Sequence, residues 1–432
     1  MASLRSATRE ALYAFGHAHV RPSLLARDEE ARFDRGLWLR LAGTGFFGLA
    51  RDGAPQVLEA AQALAGLGHG GLDAPLGLSA AAQWIGTCLL QTFGSPEQRI
   101  RYVEEATAGG SILAVCNSEP EAGTRLRGMR SSLVAAASGE QRLTLHKSGA
   151  SNLSAADVAI VSAWKYAPGA ASEPRLEVFV LPATPPLVQE SHVTELAGFR
   201  TGLTGSLRTP DADGAGTGLP VCSAEAQLGP DGSGPRILRL CFHLERLLIG
   251  ALLLGLVDGL VDACAQHLGE REGRDSAFTQ HQYVQEKLVL LYALARRIEG
   301  LWLLAEQSIR QALATDQIAL SEADVRTPAP APTPLEAALE AASPLLGVLK
   351  LTAVEDSLVA ATTAYELLGY AGYQRASVAQ KAHRDLLAFK MLGGTKELMK
   401  ISVFRDLSAR WSSASSRAPA LDPGAVAAPK SL

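Results

Sequence analysis

The stretch CFHLERLLIGALLLGLVDGL, residues 241–260, limits what this chain can fold into more than any other segment. From Leu247 to Val257 it runs through 11 residues without a polar side chain. Spanning a bilayer takes about 20 apolar residues, so the run reads as a helix buried in a globular core and not as a membrane anchor. An acid and a base, Glu245 and Arg246, stand at its foot. On a helix, residues 248, 249, 252 and 256 share the face of Glu245, and all four are apolar. The carboxylate therefore points along a dry stripe, where desolvation is expected to raise its pKa toward the range of a general base. Taken alone, Glu245 is better explained as an acid in the first turn of the helix, with Arg246 as its partner.

The length of 432 residues allows roughly three domains at ~150 residues each. Lys and Arg number 40 against 44 Asp and Glu, a net charge of −4, so no nucleic-acid-binding surface is expected. The five cysteines include no C-x-x-C pair, and neither a disulfide framework nor a metal site is predicted. The N-terminus carries charges throughout and lacks a secretory h-region. A cytoplasmic protein with no membrane partner is expected.

Three regions follow from the change in periodicity. Residues 1–113 have helical spacing, and Ser95, Pro96 and Gln98 write a capping box before a helix. Residues 114–235 carry short β-type runs, SSLVAAA, RLTLH, VAIVSAW and RLEVFVL, separated by Gly, Ser, Asn and Pro clusters. With no helix between them, these strands predict an antiparallel sheet or small barrel. Residues 236–415 are helical again, over 236–269, 277–315, 335–369 and 375–411, and Thr333, Pro334 and Glu336 restart a helix after the Pro-rich stretch 327–334. The Ser, Ala and Pro composition of residues 416–432 predicts a disordered tail. The fold class is α+β: an N-terminal helical domain, a middle antiparallel β domain and a C-terminal four-helix bundle.

Within this frame, AVCNSEPEAGT, residues 114–124, is a turn-rich loop whose Ser118 and Thr124 offer hydroxyls beside exposed backbone N–H groups. It resembles the T-E-P-x-A-G-S-D motif of the acyl-CoA dehydrogenase family, flavoproteins built as helical domain, β domain and four-helix bundle. KSGASNLSAAD, residues 147–157, resembles the family's K-x-W-I-[ST]-N-x-x-x-A-D, with Gly149 and Ala150 replacing Trp and Ile and leaving extra room beside the flavin. REGRDSAFTQHQ resembles the family's R-x-x-F-G followed by Gln, and ELLGYAGY its Q-x-x-G-G-x-G-Y, with Glu366 in place of glutamine and Tyr370 in place of glycine. MLGGTKE, residues 391–397, resembles I-Y-E-G-T-x-Q. The resemblance implies FAD as cofactor and Cys116, Ser118, Thr124, Ser151, Asn152, Arg271, Gln282, Gly369, Thr395 and Glu397 as its contacts, with Arg271 and Gln282 reaching the cofactor of a neighbouring subunit.

In most of that family the catalytic base is the glutamate of I-Y-E-G-T, where this chain has Gly393. A glycine does no acid–base chemistry. The isovaleryl-CoA and long-chain branches carry their base in an L-E-R-L segment on the first bundle helix, and LERLLIG places Glu245 and Arg246 on it. The resemblance then implies α,β-dehydrogenation of an acyl thioester, acyl-CoA or acyl carrier protein, as in tailoring enzymes of biosynthesis. Glu245 takes the α-proton, Arg246 orients substrate or base, and the β-hydride passes to flavin N5. A homodimer or homotetramer and an electron-transfer partner are implied with it. Two rival readings stay open: a flavin-dependent monooxygenase or oxidase, favoured by the room at Gly149, and a flavin-free scaffold subunit, favoured by Glu366 and Tyr370 at flavin-contact positions. His243 is a weaker candidate for the lining of the same cavity.

Overall fold

Local capping starts most of the N-terminal helices. Ser6 caps α1 (Ala7–Phe15), Asp34 caps α3 (Arg35–Ala42), and Asp73 caps α5 (Ala74–Phe93). The Ser95/Gln98 capping box forms as its residues predict and opens α6 (Pro96–Thr107). Two further helices, α2 (Leu24–Glu29) and α4 (Gln56–Gly71), complete the N-terminal layer. The computed structural model describes residues 6–51, 56–122, 126–135, 140–166, 173–184, 188–191, 196–209, 219–220, 223–272, 280–314 and 331–417. Most of the expected disordered tail, residues 418–432, lies outside them.

The β region holds β1 (Leu113–Cys116), β2 (Ser132–Ala135), β3 (Gln141–Thr144), β4 (His146–Ala150), β5 (Val158–Lys165), β6 (Arg175–Pro182), β7 (Val188–Ser191), β8 (Gly205–Arg208) and β9 (Leu219–Pro220). The expectation of a wholly antiparallel sheet needs correction. Among the described residues there are two sheets, and the larger is mixed: β1 and β2 both run parallel along one edge of β5, while β6 pairs antiparallel along the other. The long connections between these strands permit parallel pairing, which a tight hairpin forbids. The smaller sheet, β4-β8-β7, is antiparallel. β5 divides two cores, because Val158 and Ile160 pack with the helices while Ala159 and Val161 pack between the sheets. That is why VAIVSAW reads as an unbroken apolar run and not as an alternating one.

After α7 (Ser223–Ala226), the C-terminal part is built on α8 (Gly234–Glu272), α9 (Gln282–Ala314), α10 (Pro334–Ala341), α11 (Ser343–Leu368), α12 (Tyr370–Tyr373), α13 (Val378–Ala388) and α14 (Lys396–Arg417). The predicted capping box Thr333/Glu336 opens α10. Two expected helices are each broken in two. α10 and α11 meet at a 63° bend, where Pro344 in the first turn of α11 removes an N–H donor. α13 and α14 are parted by Gly393 and Gly394, at φ of +65° and +92°, which no helix accommodates. α8 is long and apolar enough to cross a membrane, yet 83% of its most apolar stretch is buried by the protein around it.

Two contacts hold the layers together. α8 crosses α4 so closely that a Cβ added to Gly255 would stand 2.0 Å from the Ala65 carbonyl oxygen. Behind the bundle lies a buried ionic cluster. Arg27 pairs with Asp73 at 2.7 Å, Lys381 pairs with Asp385 and lies 3.6 Å from Asp73, Thr201 donates to Asp73, and the Phe199 N–H donates to Asp385. Four segments distant in sequence thus converge on one set of charges. Replacing Lys381 by Met leaves the buried Asp385 without its cation, while Asp73 keeps Arg27, and is expected to cost about 3–5 kcal/mol in urea unfolding. Gly255→Val is expected to lower stability by about 1–3 kcal/mol through overpacking against α4.

Candidate active site

A cavity of ≈ 610 Å³ opens where α5, the β1 and β4 ends, α8, the 391–395 turn and α14 meet. Its β wall is made by the loop after β1 and by β4. The buried pair Lys147–Glu119, at 2.9 Å, and the Ser148 N–H donating to the Ser118 carbonyl hold these two segments together. The wall presents Ser118, Ser148, Gly149 and Ser151 to the cavity. Gly149 has φ of +63°, and a Cβ there would meet no atom within 4 Å. The room inferred from the missing Trp is therefore present.

The opposite wall is α8, with Cys241, Phe242, Glu245, Arg246 and Ile249. Glu245 is the twelfth residue of that helix, which starts at Gly234, so it lies roughly three turns in, beyond the reach of the helix-terminal charge. No ion pair within 4 Å joins it to Arg246. The one hydrogen bond of the Arg246 guanidinium among the described residues is a 3.5 Å contact to Ser402, and its Nε is buried without a partner. The alternative of a capping acid paired with its neighbour is thus set aside. Glu245 shows part of its surface to the cavity and is otherwise enclosed. Burial raises its pKa above the ordinary carboxylate value, against the opposing pull of the Lys350 and Arg246 cations.

Gly393 stands directly across from it. A Cβ built on Gly393 would lie 3.7 Å from the Glu245 carboxyl carbon and 2.8 Å from Ile249 Cδ1. A side chain at 393 and the side chain of Glu245 would therefore compete for the same space. The same Cβ would lie 3.6 Å from Cε of Lys350, a buried residue of α11. Sequence reasoning passed over Lys350, although a single cation in the apolar run PLLGVLKLTAV is the same kind of signal that marked Glu245.

The expected cofactor contacts divide. Ser118, Ser151 and Thr395 lie on the cavity wall. Cys116 and Asn152 do not: Cys116 is fully buried between the sheets, its thiol pushed up to about 12 by burial, and the Asn152 amide donates to the Ser79 and Leu113 carbonyls. Both are fasteners beneath the site, because their side chains point into the core that supports the wall. Glu397 is exposed in the first turn of α14, off the cavity lining. Gln282 opens α9, where its side chain donates to Glu286, and Gly369 ends α11 at φ of +58°. The Lys287–Glu366 ion pair joins these two helices and neutralises the carboxylate that replaces the family's glutamine. Thr124 and the Arg271 side chain lie outside the described residues. His243 is buried, faces Glu340 at 3.9 Å, and is pushed down to about 3 by burial and by Arg246 and Arg239, so it is a neutral packing residue and not part of the lining.

The chemistry of the donor set fits a flavin. The hydroxyls of Ser118, Ser148, Ser151, Thr395 and Ser402 and the Asn117 amide border one cavity, and at Gly149 it has open space where a side chain would stand. An infrared pH titration comparing the protein with its Glu245→Gln variant is expected to show a protonated carboxyl band that persists above pH ~4.3, the ordinary glutamate value.

Comparison with known proteins agrees with this geometry. The family description "Acyl-CoA dehydrogenase, N-terminal domain" matches residues 5–110, and "Acyl-CoA dehydrogenase, C-terminal domain" matches residues 232–408. The chain is 24% identical over 407 residues to benzylmalonyl-CoA dehydrogenase of Aromatoleum aromaticum, covering 93% of this chain and 97% of that protein. In fold it is similar to the prolyl acyl carrier protein oxidase AnaB, with TM-score 0.76, 23% identity and coverage of 94% and 99% of the two chains. Butyryl-CoA dehydrogenase from Megasphaera elsdenii is similar at TM-score 0.76 and 19% identity, over 94% of this chain and 99% of that one.

Proposed function

The chain belongs to the acyl-CoA dehydrogenase family of FAD-dependent oxidoreductases acting on acyl thioesters, and on that premise we propose that it carries out α,β-dehydrogenation with Glu245 as the base. The observation that carries this reading is the 3.7 Å between the Glu245 carboxyl carbon and the position a Gly393 Cβ would take. A carboxylate borne by α8 and one borne by the turn would serve the same point in the cavity.

Glu245 receives the substrate's α-proton at its carboxylate. Its apolar surroundings keep it basic enough to accept that proton, and the absence of an ion pair among the described residues leaves the oxygens free to do so. The first turn of α14, which follows Gly394 and Thr395 on the cavity wall, carries the positive end of the helix dipole and is suited to the negative charge that develops on the thioester oxygen. Ser118, Ser151 and Thr395 would hold FAD, which when bound supplies the acceptor for the β-hydride. Apolar side chains exposed on α9 and α14, among them Val289, Tyr292, Ile401 and Phe404, support self-association as a homodimer or homotetramer. In such an assembly Gln282 and Arg271 would complete a neighbour's cofactor site.

Whether the acyl group rides on CoA or on a carrier protein is decided by comparing turnover of the two thioesters of one acid. Glu245→Gln is expected to keep the absorption band near ~450 nm while losing about 10²–10⁴ in kcat/KM. Turnover near the parent rate in that variant would remove Glu245 from the role. The open space at Gly149 favours a second reading, in which molecular oxygen reoxidises the reduced enzyme. Oxygen uptake matching product formed, without an added electron acceptor, would support it. Incorporation of labelled oxygen into product would convert the reading to oxygenation.

A further inference from the structure

We propose that Lys350 is a positioning residue for the proton transfer, its ammonium tying the Gly393–Gly394 turn to the bundle and balancing the charge of Glu245 from beside Gly393. The inference rests on the assignment of Glu245 as base and adds a second residue to it. Lys350 comes from α11, a different helix from the base, and donates a hydrogen bond to the Gly394 carbonyl. Its Cε and the Glu245 carboxyl carbon lie 3.6 and 3.7 Å from one and the same point, the Cβ position of Gly393.

The bland alternative is a lysine that serves only to satisfy a carbonyl. Energetics argue against it. Lys350 is 2% exposed, that carbonyl is its one hydrogen-bond partner among the described residues, and no carboxylate among them lies within ion-pair distance. Burying an ammonium for one neutral acceptor is costly, whereas an apolar side chain would sit there at no such cost. The buried anion in reach is Glu245, whose charge and that of Lys350 stabilise one another.

The other groups facing Glu245 do not supply this balance in the same way. Arg246 follows it on α8 and is held toward Ser402, and Arg405 of α14 stands at the exposed mouth of the cavity. Cys241, one turn earlier on α8, keeps its proton because burial pushes its thiol up. α5 contributes only apolar side chains to the cavity, and the β wall only hydroxyls and the Asn117 amide as polar side chains. With the cation of Lys350 removed, Glu245 holds its proton to higher pH, so the fraction of enzyme with a competent base falls on the acid side.

The test is the pH dependence of kcat/KM for FAD-loaded Lys350→Met, Lys350→Gln and Lys350→Arg. The expected result is an acid limb displaced upward by about one pH unit or more in the Met and Gln variants, a loss of about tenfold in kcat/KM on that limb. Lys350→Arg, which keeps the charge, is expected to hold the limb in place. A merely structural lysine would lower stability or flavin content without moving the limb. An unmoved limb in whichever neutral variant folds, or an Arg variant displaced as far as the neutral ones, overturns the proposal. Should neither neutral variant fold, Lys350→Arg decides by itself: a displaced limb overturns the proposal and an unmoved one supports it. Glu245→Gln, run in parallel, separates the two assignments. If it retains parent turnover the base itself is wrong, and if it is inactive while the limb of Lys350→Met stays put, only the role of Lys350 is.

Discussion

The arrangement of the three parts depends on the buried charges around Asp73. This one carboxylate caps α5, pairs with Arg27 from α2, accepts from Thr201 of the β region and lies beside Lys381 of α13. Charges in a core are tolerated only when each is met by others in good geometry. The set therefore forms as a whole or not at all, and it forms only when all four segments are in register. α13 is the member that matters to the site. It ends a few residues before the 391–395 turn, so fixing α13 at Lys381 and Asp385 fixes where the turn enters the cavity.

The site then follows from two elements of different character. α8 is a 39-residue helix locked on α4 by glycine-mediated contact, and it carries the carboxylate. The turn carries no acid–base group: after Met391 and Leu392 come two positive-φ glycines and a threonine at the head of α14. Desolvation raises the pKa of the Glu245 carboxyl, and the cations of Lys350 and Arg246 oppose that rise.

Much of this is readable in the amino-acid sequence alone. Local rules predict the two capping boxes, because a cap is decided by residues three apart. The apolar stripe around Glu245 and the glycine at 393 together point to the base, and the structure brings those two residues face to face. Non-local features are not readable in this way. Nothing in the spacing of VAIVSAW tells that β1 and β2 will both join β5 in parallel, since pairing is settled by connections and by both faces being buried. Asn152 and Cys116 match flavin-contact positions in sequence, but their side chains turn into the support behind the wall. Lys350 escapes a reading of the sequence because it comes from a helix far along the chain, and only packing shows that it and Glu245 both approach Gly393.

The breaking of the last helical segment at Gly393 and Gly394 has a consequence of its own. Where base and substrate-facing turn are one segment, any change that reshapes the binding space also displaces the proton acceptor. Here the Glu245 carboxylate stands on a core helix, and the turn at Gly393 and Gly394 is a separate segment. Bulk is constrained at Gly393, which faces Glu245, but α14 farther on, where Ile401 and Arg405 line the cavity, can change what an acyl group meets without displacing the Glu245 carboxylate.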